Sequence, residues 1–319
     1  MPEIAPLDRG SRVYVAGHHG LAGGAVSRAL RAAGFHDLVG ARSSELDLRE
    51  RTATFAYLRD AAPDVVVLAA ARVGGIVAND TFPAQFLSDN LRIQLSVMDA
   101  ALELKVPRLL FLGSSCIYPR NAEQPISESA LLTGPLESTN DAYAIAKIAG
   151  MVAVQATRRQ FGLAWISATP SNLYGPGDTF HPEHSHVLPA MLHRFHTAVR
   201  DGVDEVVLWG TGMPRREFLH CDDLGRAVVA LLDTYDRAEH VNIGVGHDLE
   251  IRELARHIAA VVGFTGRITW DTARPDGVPR KLLDVTRISS LGWRPQIELV
   301  DGIRQTYEWY RDHVATSTR

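Results

Sequence analysis

Apolar residues in the first half of the chain fall into short blocks separated by segments of helical spacing. Residues 12–16 form a β-branched run and 37–40 a second short stretch, while 64–70, 108–113 and 164–168 are nearly continuously apolar. Between them, residues 25–33, 51–60, 86–105 and 143–161 carry apolar positions at the three-to-four-residue period of a helix with one buried face. Continuous apolar strands are those covered on both sides. The alternation predicts an α/β fold, a Rossmann-type doubly wound parallel sheet with helices on both faces.

From about Tyr174 the rhythm breaks at the turn cluster Gly175-Pro176-Gly177-Asp178. Helices are expected at 188–200, 222–235, 251–262 and 299–313, and strands at 205–209 and 241–245. No internal repeat or low-complexity linker interrupts the chain. The predicted layout is a nucleotide-binding Rossmann domain of residues 11–172 and 215–245, with a smaller α/β substrate-binding domain of residues 173–214 and 246–315.

Composition narrows the function classes. The 319 residues are 46% hydrophobic and 22% charged, ordinary values for a globular protein with a sizeable core. Apolar runs are too short and interrupted for a membrane span, and residues 1–10 lack the apolar core of a signal peptide. A net charge of −4 argues against a nucleic-acid partner. The two cysteines, Cys116 and Cys221, make a disulfide scaffold implausible and point to a reducing cytoplasm.

The first motif is Gly17-His18-His19-Gly20-Leu21-Ala22-Gly23-Gly24, between a predicted strand and a predicted helix. Glycines at 17, 20 and 23 permit a tight turn and close approach of a diphosphate to the helix N-terminus. At the end of the second strand, an acidic residue would select NAD by bonding its ribose hydroxyls. The chain has Arg42-Ser43-Ser44 there, one cation with two hydroxyls, which favours the phosphate of NADP. Asp47 and Leu48 follow within reach of the adenine.

The second motif is Tyr143-Ala144-Ile145-Ala146-Lys147, a phenol and an ammonium one helical turn apart. A free tyrosine titrates near ~10, and a neighbouring cation is expected to lower that value. The strand at 108–113 ends in Ser114-Ser115-Cys116, and a serine there can polarise a carbonyl that Tyr143 protonates. If strand geometry continues, Ser114 and Cys116 share one face. His181, His184, His186, His193 and His196 are dense enough to raise a metal site, but they form no HExxH or Cys/His pattern, and no metal is expected.

These residues resemble the extended short-chain dehydrogenase/reductase family, over nearly the whole chain. Further segments narrow the likeness to members acting on GDP-linked keto-sugars: Arg72-Val73-Gly74-Gly75-Ile76, Ser114-Ser115-Cys116-Ile117-Tyr118-Pro119, Asn172-Leu173-Tyr174-Gly175-Pro176, Arg216-Glu217-Phe218-Leu219-His220 and Pro279-Arg280-Lys281-Leu282-Leu283-Asp284. The resemblance implies an enzyme that epimerises C3 and C5 of GDP-4-keto-6-deoxy-D-mannose and then reduces C4 with NADPH. Ser114, Tyr143 and Lys147 would serve the reduction, and Cys116 with His186 the epimerisation. Gly17, His19, Gly20, Leu21, Ala22, Gly23, Arg42, Asp47, Leu48, Leu112, Gly113, Ser115, Lys147, Pro170, Asn172, Leu173 and His186 would hold the cofactor. Arg194, Trp209, Arg216, Asp276 and Lys281 would hold the GDP-sugar. The same chemistry on a related GDP-keto-sugar and a sugar-nucleotide 4-epimerase are the alternatives, and a homodimer is expected from the family. His19 stands where the family usually has arginine, Ser43 where a guanidinium is expected, and Arg215 adds charge beside Arg216.

Overall fold

The computed structural model describes residues 6–181, 185–274 and 276–315. Along the first half run β1 (Val13–Ala16), α1 (Leu21–Ala32), β2 (Leu38–Val39), α2 (Arg51–Ala61), β3 (Val65–Leu68), α3 (Ile76–Thr81), α4 (Pro83–Glu103), β4 (Arg108–Leu112), α5 (Asp141–Phe161) and β5 (Ala164–Pro170). The second half holds β6 (Asn172–Tyr174), α6 (Val187–Asp201), β7 (Glu205–Trp209), β8 (Arg215–Arg216), β9 (Phe218–His220), α7 (Cys221–Thr234) and β10 (Val241–Ile243). It ends with β11 (Leu249–Glu250), α8 (Ile251–Val262), β12 (Arg267–Asp271), β13 (Arg280–Lys281), α9 (Thr286–Ser290) and α10 (Leu299–His313).

Six strands form one parallel sheet in the order β10-β5-β4-β3-β1-β2. Successive residues of each strand feed two different cores, because side chains alternate across a sheet. Val13 and Val15 of β1, with Leu110 and Leu112 of β4, pack against α1 and α7. Tyr14 and Ala16, with Leu109 and Phe111, pack against the opposite layer of α2, α4 and α5. The strands read as continuous apolar runs for this reason. The order reverses between β1 and β3, and ligands of open α/β sheets bind beyond the strand C-termini at such a switch point.

A third core lies apart from the sheet, built from Leu192 and Phe195 of α6, Leu208 of β7, Leu254 and Ile258 of α8, and Ile303 of α10. Its strands are small: β7 pairs with β12, and β8 lies between β11 and β13.

Several expectations change. α1 begins at Leu21, inside the glycine loop, because two of the glycines lie in its first turn. The second strand shrinks to Leu38–Val39. The segments 267–271, 76–81 and the two-residue strands around 215, 249 and 280 have too little periodicity to be legible. Residues 1–5 and His184 lie outside the described residues.

Candidate active site

The cofactor cradle begins where β1 ends. Gly17 turns the chain at a φ of 84°, and a Cβ on it would lie 2.9 Å from the Ala70 backbone. Gly20 caps α1, and a Cβ on Gly23 would sit 2.2 Å from the Gly17 carbonyl oxygen. The first turn of α1, with Leu21 and Ala22, has no side-chain cap and no acidic residue. Its first-turn amides and dipole therefore have no side-chain partner from the protein, which suits a dinucleotide diphosphate.

Farther along, Arg42 Nε donates to His19 Nε2 at 3.1 Å, so two basic residues far apart in sequence meet beyond β2. Asp47 is held by its neighbour Arg49 at 2.7 Å, and Leu48 packs partly buried against the α2–α4 core. Gly113 donates to Ala168 O at 2.8 Å, and Ser115 and Pro170 are buried at the ends of the neighbouring strands.

The chemical groups converge on a cleft of about 620 Å³ lined by Ser114, Cys116, Tyr143, Asn172, Leu173 and His186. Lys147 sits behind it, buried, with Nζ donating to Leu112 O at 2.8 Å and lying 4.8 Å from the Phe111 ring centre. Burial lowers the Lys147 pKa to about 8, opposed by the Cys116 thiol. Burial raises the Tyr143 phenol instead of letting it fall. The expectation of a lowered value fails because the ammonium is committed to Leu112 and stands 5.9 Å from the Tyr143 ring centre. Loss of hydration then prevails over attraction, and the phenol stays protonated at neutral pH.

The chain does not continue as strand through Cys116. β4 stops at Leu112, and Ser115–Ile117 forms a 3-10 turn. This turn, not strand alternation, places Cys116 on the wall of the cleft with Ser114 and Tyr143. Burial raises the Cys116 thiol, with Lys281 the leading opposing charge. His186 sits at the N-cap of α6, open to the cleft lumen but closely surrounded by protein, which pushes its imidazole below the usual value. At neutral pH the pair is a thiol and an uncharged imidazole, one proton donor and one proton acceptor.

The far wall holds Arg194, Trp209, Arg216, Asp276 and Lys281. Arg194 lies over the Trp209 ring at 5.1 Å and donates to Val207 O at 3.1 Å. Arg216 and Lys281 are direct partners across the β8–β13 ladder. Arg215, on the opposite side of that strand, turns to Asp248 at 2.8 Å. Its added charge is neutralised there and does not enter the cleft. Asp276 accepts from Thr211 N at 2.9 Å and Thr211 Oγ1 at 2.6 Å, so its carboxylate fastens the 271–281 segment to the residues after Trp209.

Glu217 was not read from the sequence. Fully buried, it accepts from Val245 N, Gly246 N and Leu283 N, and burial raises its carboxyl to about 7. Asn172 Nδ2 donates to the Glu217 carbonyl at 2.8 Å. A carboxylate between Arg216 and an apolar Phe218-Leu219 was the available signal. The histidines of α6 have other partners: His193 meets Tyr310 at 2.8 Å and His196 meets Tyr307 at 3.1 Å. Cys221 is buried against Gly175 beside His220 and Asp222, and Arg28 grips Asp222 at 2.5 Å.

Comparison with known proteins places this geometry. Residues 13–244 match the NAD dependent epimerase/dehydratase family. The chain is 55% identical over 307 residues to GDP-L-fucose synthase 1 of Arabidopsis thaliana, covering 96% of this chain and 95% of that one. It is 48% identical over 311 residues to GDP-L-fucose synthase of Escherichia coli K12, covering 95% and 97%. A GDP-L-fucose synthetase from Naegleria fowleri solved bound to NADP superposes with a TM-score of 0.90 at 26% identity, over 99% and 98% of the two chains.

Proposed function

We infer the reaction from the premise that this chain belongs to the NAD dependent epimerase/dehydratase family and, within it, to the group of the GDP-L-fucose synthases. It epimerises C3 and C5 of GDP-4-keto-6-deoxy-D-mannose and then reduces C4 to give GDP-L-fucose. One observation carries the reading: a second proton donor and acceptor, Cys116 and His186, share the cleft with Ser114 and Tyr143. A simple reductase or 4-epimerase needs only the latter set.

The residues divide the work. Ser114 and Tyr143 hydrogen-bond the C4 ketone, which acidifies the protons on C3 and C5. The uncharged His186 removes an α-proton and the Cys116 thiol returns one to the opposite face, inverting the centre; proton exchange with solvent then restores imidazole and thiol before the second centre reacts. NADPH, when bound along α1, supplies the hydride to C4. Tyr143 delivers its phenolic proton to the C4 oxygen, and Lys147 holds its charge nearby to stabilise the phenolate left behind. Gly17, Gly20 and Gly23 admit the diphosphate, and His19 with Arg42 receives the 2′-phosphate. Arg194, Trp209, Arg216 and Lys281 hold the GDP-sugar.

The division into a nucleotide-binding and a substrate-binding domain is supported by the third core, which is distinct from the two that flank the sheet. A homodimer through α4 and α5 is supported by exposed apolar side chains on both helices, Leu95 at 45% and Val152 at 43%. Among the described residues no helix is long and apolar enough to cross a membrane. Two free cysteines accord with a cytoplasmic setting.

Purified protein given NADPH and GDP-4-keto-6-deoxy-D-mannose is expected to bleach the nicotinamide absorbance and release GDP-L-fucose. Folded protein that oxidises no NADPH with this substrate overturns the assignment.

A further inference from the structure

Trp209 carries two arginines. Arg194 reaches it from α6, and Arg274 lies over the same indole at 5.0 Å from the segment after β12. Arg274 is placed there by backbone construction. Gly210 N donates to Asp271 O at 3.0 Å, and Asp276 is fastened to Thr211 through both carboxylate oxygens. Asp271 and Asp276, before and after Arg274 in the chain, are thus tied to the two positions that follow Trp209. A Cβ on Gly210 would meet Asp276 Oδ1 at 2.3 Å, so glycine there lets the segment close down.

The other arginines of this wall are already engaged. Arg194 donates to Val207 O, Arg216 NH1 to Arg215 O at 2.8 Å, and Arg215 and Arg280 both pair with Asp248. Among the described residues, Arg274 has only a distant ion pair, Nε to Asp271 Oδ2 at 3.9 Å, beyond hydrogen-bond reach. Its side chain is 59% exposed. A guanidinium with uncommitted donors, held at the mouth of a cleft beside a tryptophan, suits an anion carried on an aromatic base.

We propose that Arg274 is a specificity-determining residue that binds the diphosphate of the nucleotide-sugar. In the free protein its guanidinium rests on Trp209; in the complex it turns its planar fork to the phosphate oxygens. Arg194 stays anchored on Val207 and keeps the indole in place. The 271–281 segment then contributes a phosphate contact through Arg274, its own fastening through Asp276, and Lys281 near the reacting carbons. The inference rests on the GDP-sugar reading above and extends it to a residue outside the cleft lining.

Calorimetric titration with GDP, GMP, guanosine and NADPH tests it on the wild-type protein, Arg274→Gln and Arg274→Lys. Arg274→Gln is expected to weaken GDP by about tenfold, as for loss of one charge-assisted contact, and GMP by less. Guanosine and NADPH bind as in wild type, and Arg274→Lys recovers part of the GDP affinity. In turnover, KM for the GDP-sugar rises in Arg274→Gln while kcat is unchanged. Equal GDP affinity in wild type and Arg274→Gln overturns the inference, and so does an equal loss for guanosine, which would make the contact one with the base. Wild-type protein that binds NADPH but not GDP overturns the substrate reading itself.

Discussion

Ser114, Tyr143 and Cys116 line one cleft, so the two proton-transfer systems proposed for this protein meet at the end of β4. Burial acts differently on the surrounding groups: it keeps the phenol and thiol protonated and keeps His186 uncharged. The two systems can therefore be separated by substitution. Tyr143→Phe is expected to lower NADPH oxidation by about a hundredfold or more, typical for loss of a general acid, and to slow deuterium entry at C3 and C5 by less, because Ser114 still polarises the ketone. Cys116→Ser is expected to act mainly on exchange, lowering deuterium incorporation by a similar factor. Mass spectrometry of recovered substrate checks both, and wild-type exchange in Cys116→Ser would remove the thiol from the epimerisation. Sequence pattern identified these side chains but not their protonation. Tyr143–Lys147 spacing implied a lowered phenol; burial of the ring in the folded protein reversed that expectation, with Lys147 Nζ turned to Leu112 O.

At the scale of elements, the turn from β1 into α1 is the part most tightly specified by the chain. Neither glycine has room for a side chain: a Cβ on Gly17 would meet the Ala70 backbone, and one on Gly23 would meet Gly17 O. The packing of α1 on α7 repeats the device, since a Cβ on Gly225 would lie 2.5 Å from Ala25 O. Gly23→Ala is expected to push α1 away from the strand end, destabilise the fold by about 1–3 kcal/mol as overpacking does, and weaken NADPH binding. Thermal unfolding and calorimetric NADPH titration check this; unchanged NADPH affinity would take the α1 N-terminus out of the binding site. The long helices and central strands were legible because each buries a periodic face. The short strands β8, β11 and β13 were not. Two residues carry no period, and their pairing follows from where distant segments meet, as in Arg216 beside Lys281.

For the whole molecule, three cores surround a cleft, and residues from both halves of the chain close it. Glu217 is one of the ties, accepting from the 245–246 turn and from Leu283 just past β13. The remaining apolar surface on α4 and α5 sets the expected association. Val152→Glu is expected to convert a dimer into a monomer in sedimentation velocity, because a carboxylate would be buried at the contact. A wild-type protein that sediments as a monomer, or a variant that remains dimeric, would move the interface away from these helices.

The sequence alone determined the sheet, its covering helices, the glycine turn and the side chains proposed to react. Each of these is written locally, in a hydrophobic period, a backbone conformation only glycine accepts, or one-turn spacing on a helix. Tertiary structure decided what depends on distant neighbours. It ended β4 before Cys116 and set that residue in a 3-10 turn. It brought His19 to Arg42, directed Arg215 to Asp248, and fastened Asp276 to Thr211. Hydration, charge and hydrogen-bond partners are properties of the surroundings, and those surroundings exist only once the chain has folded.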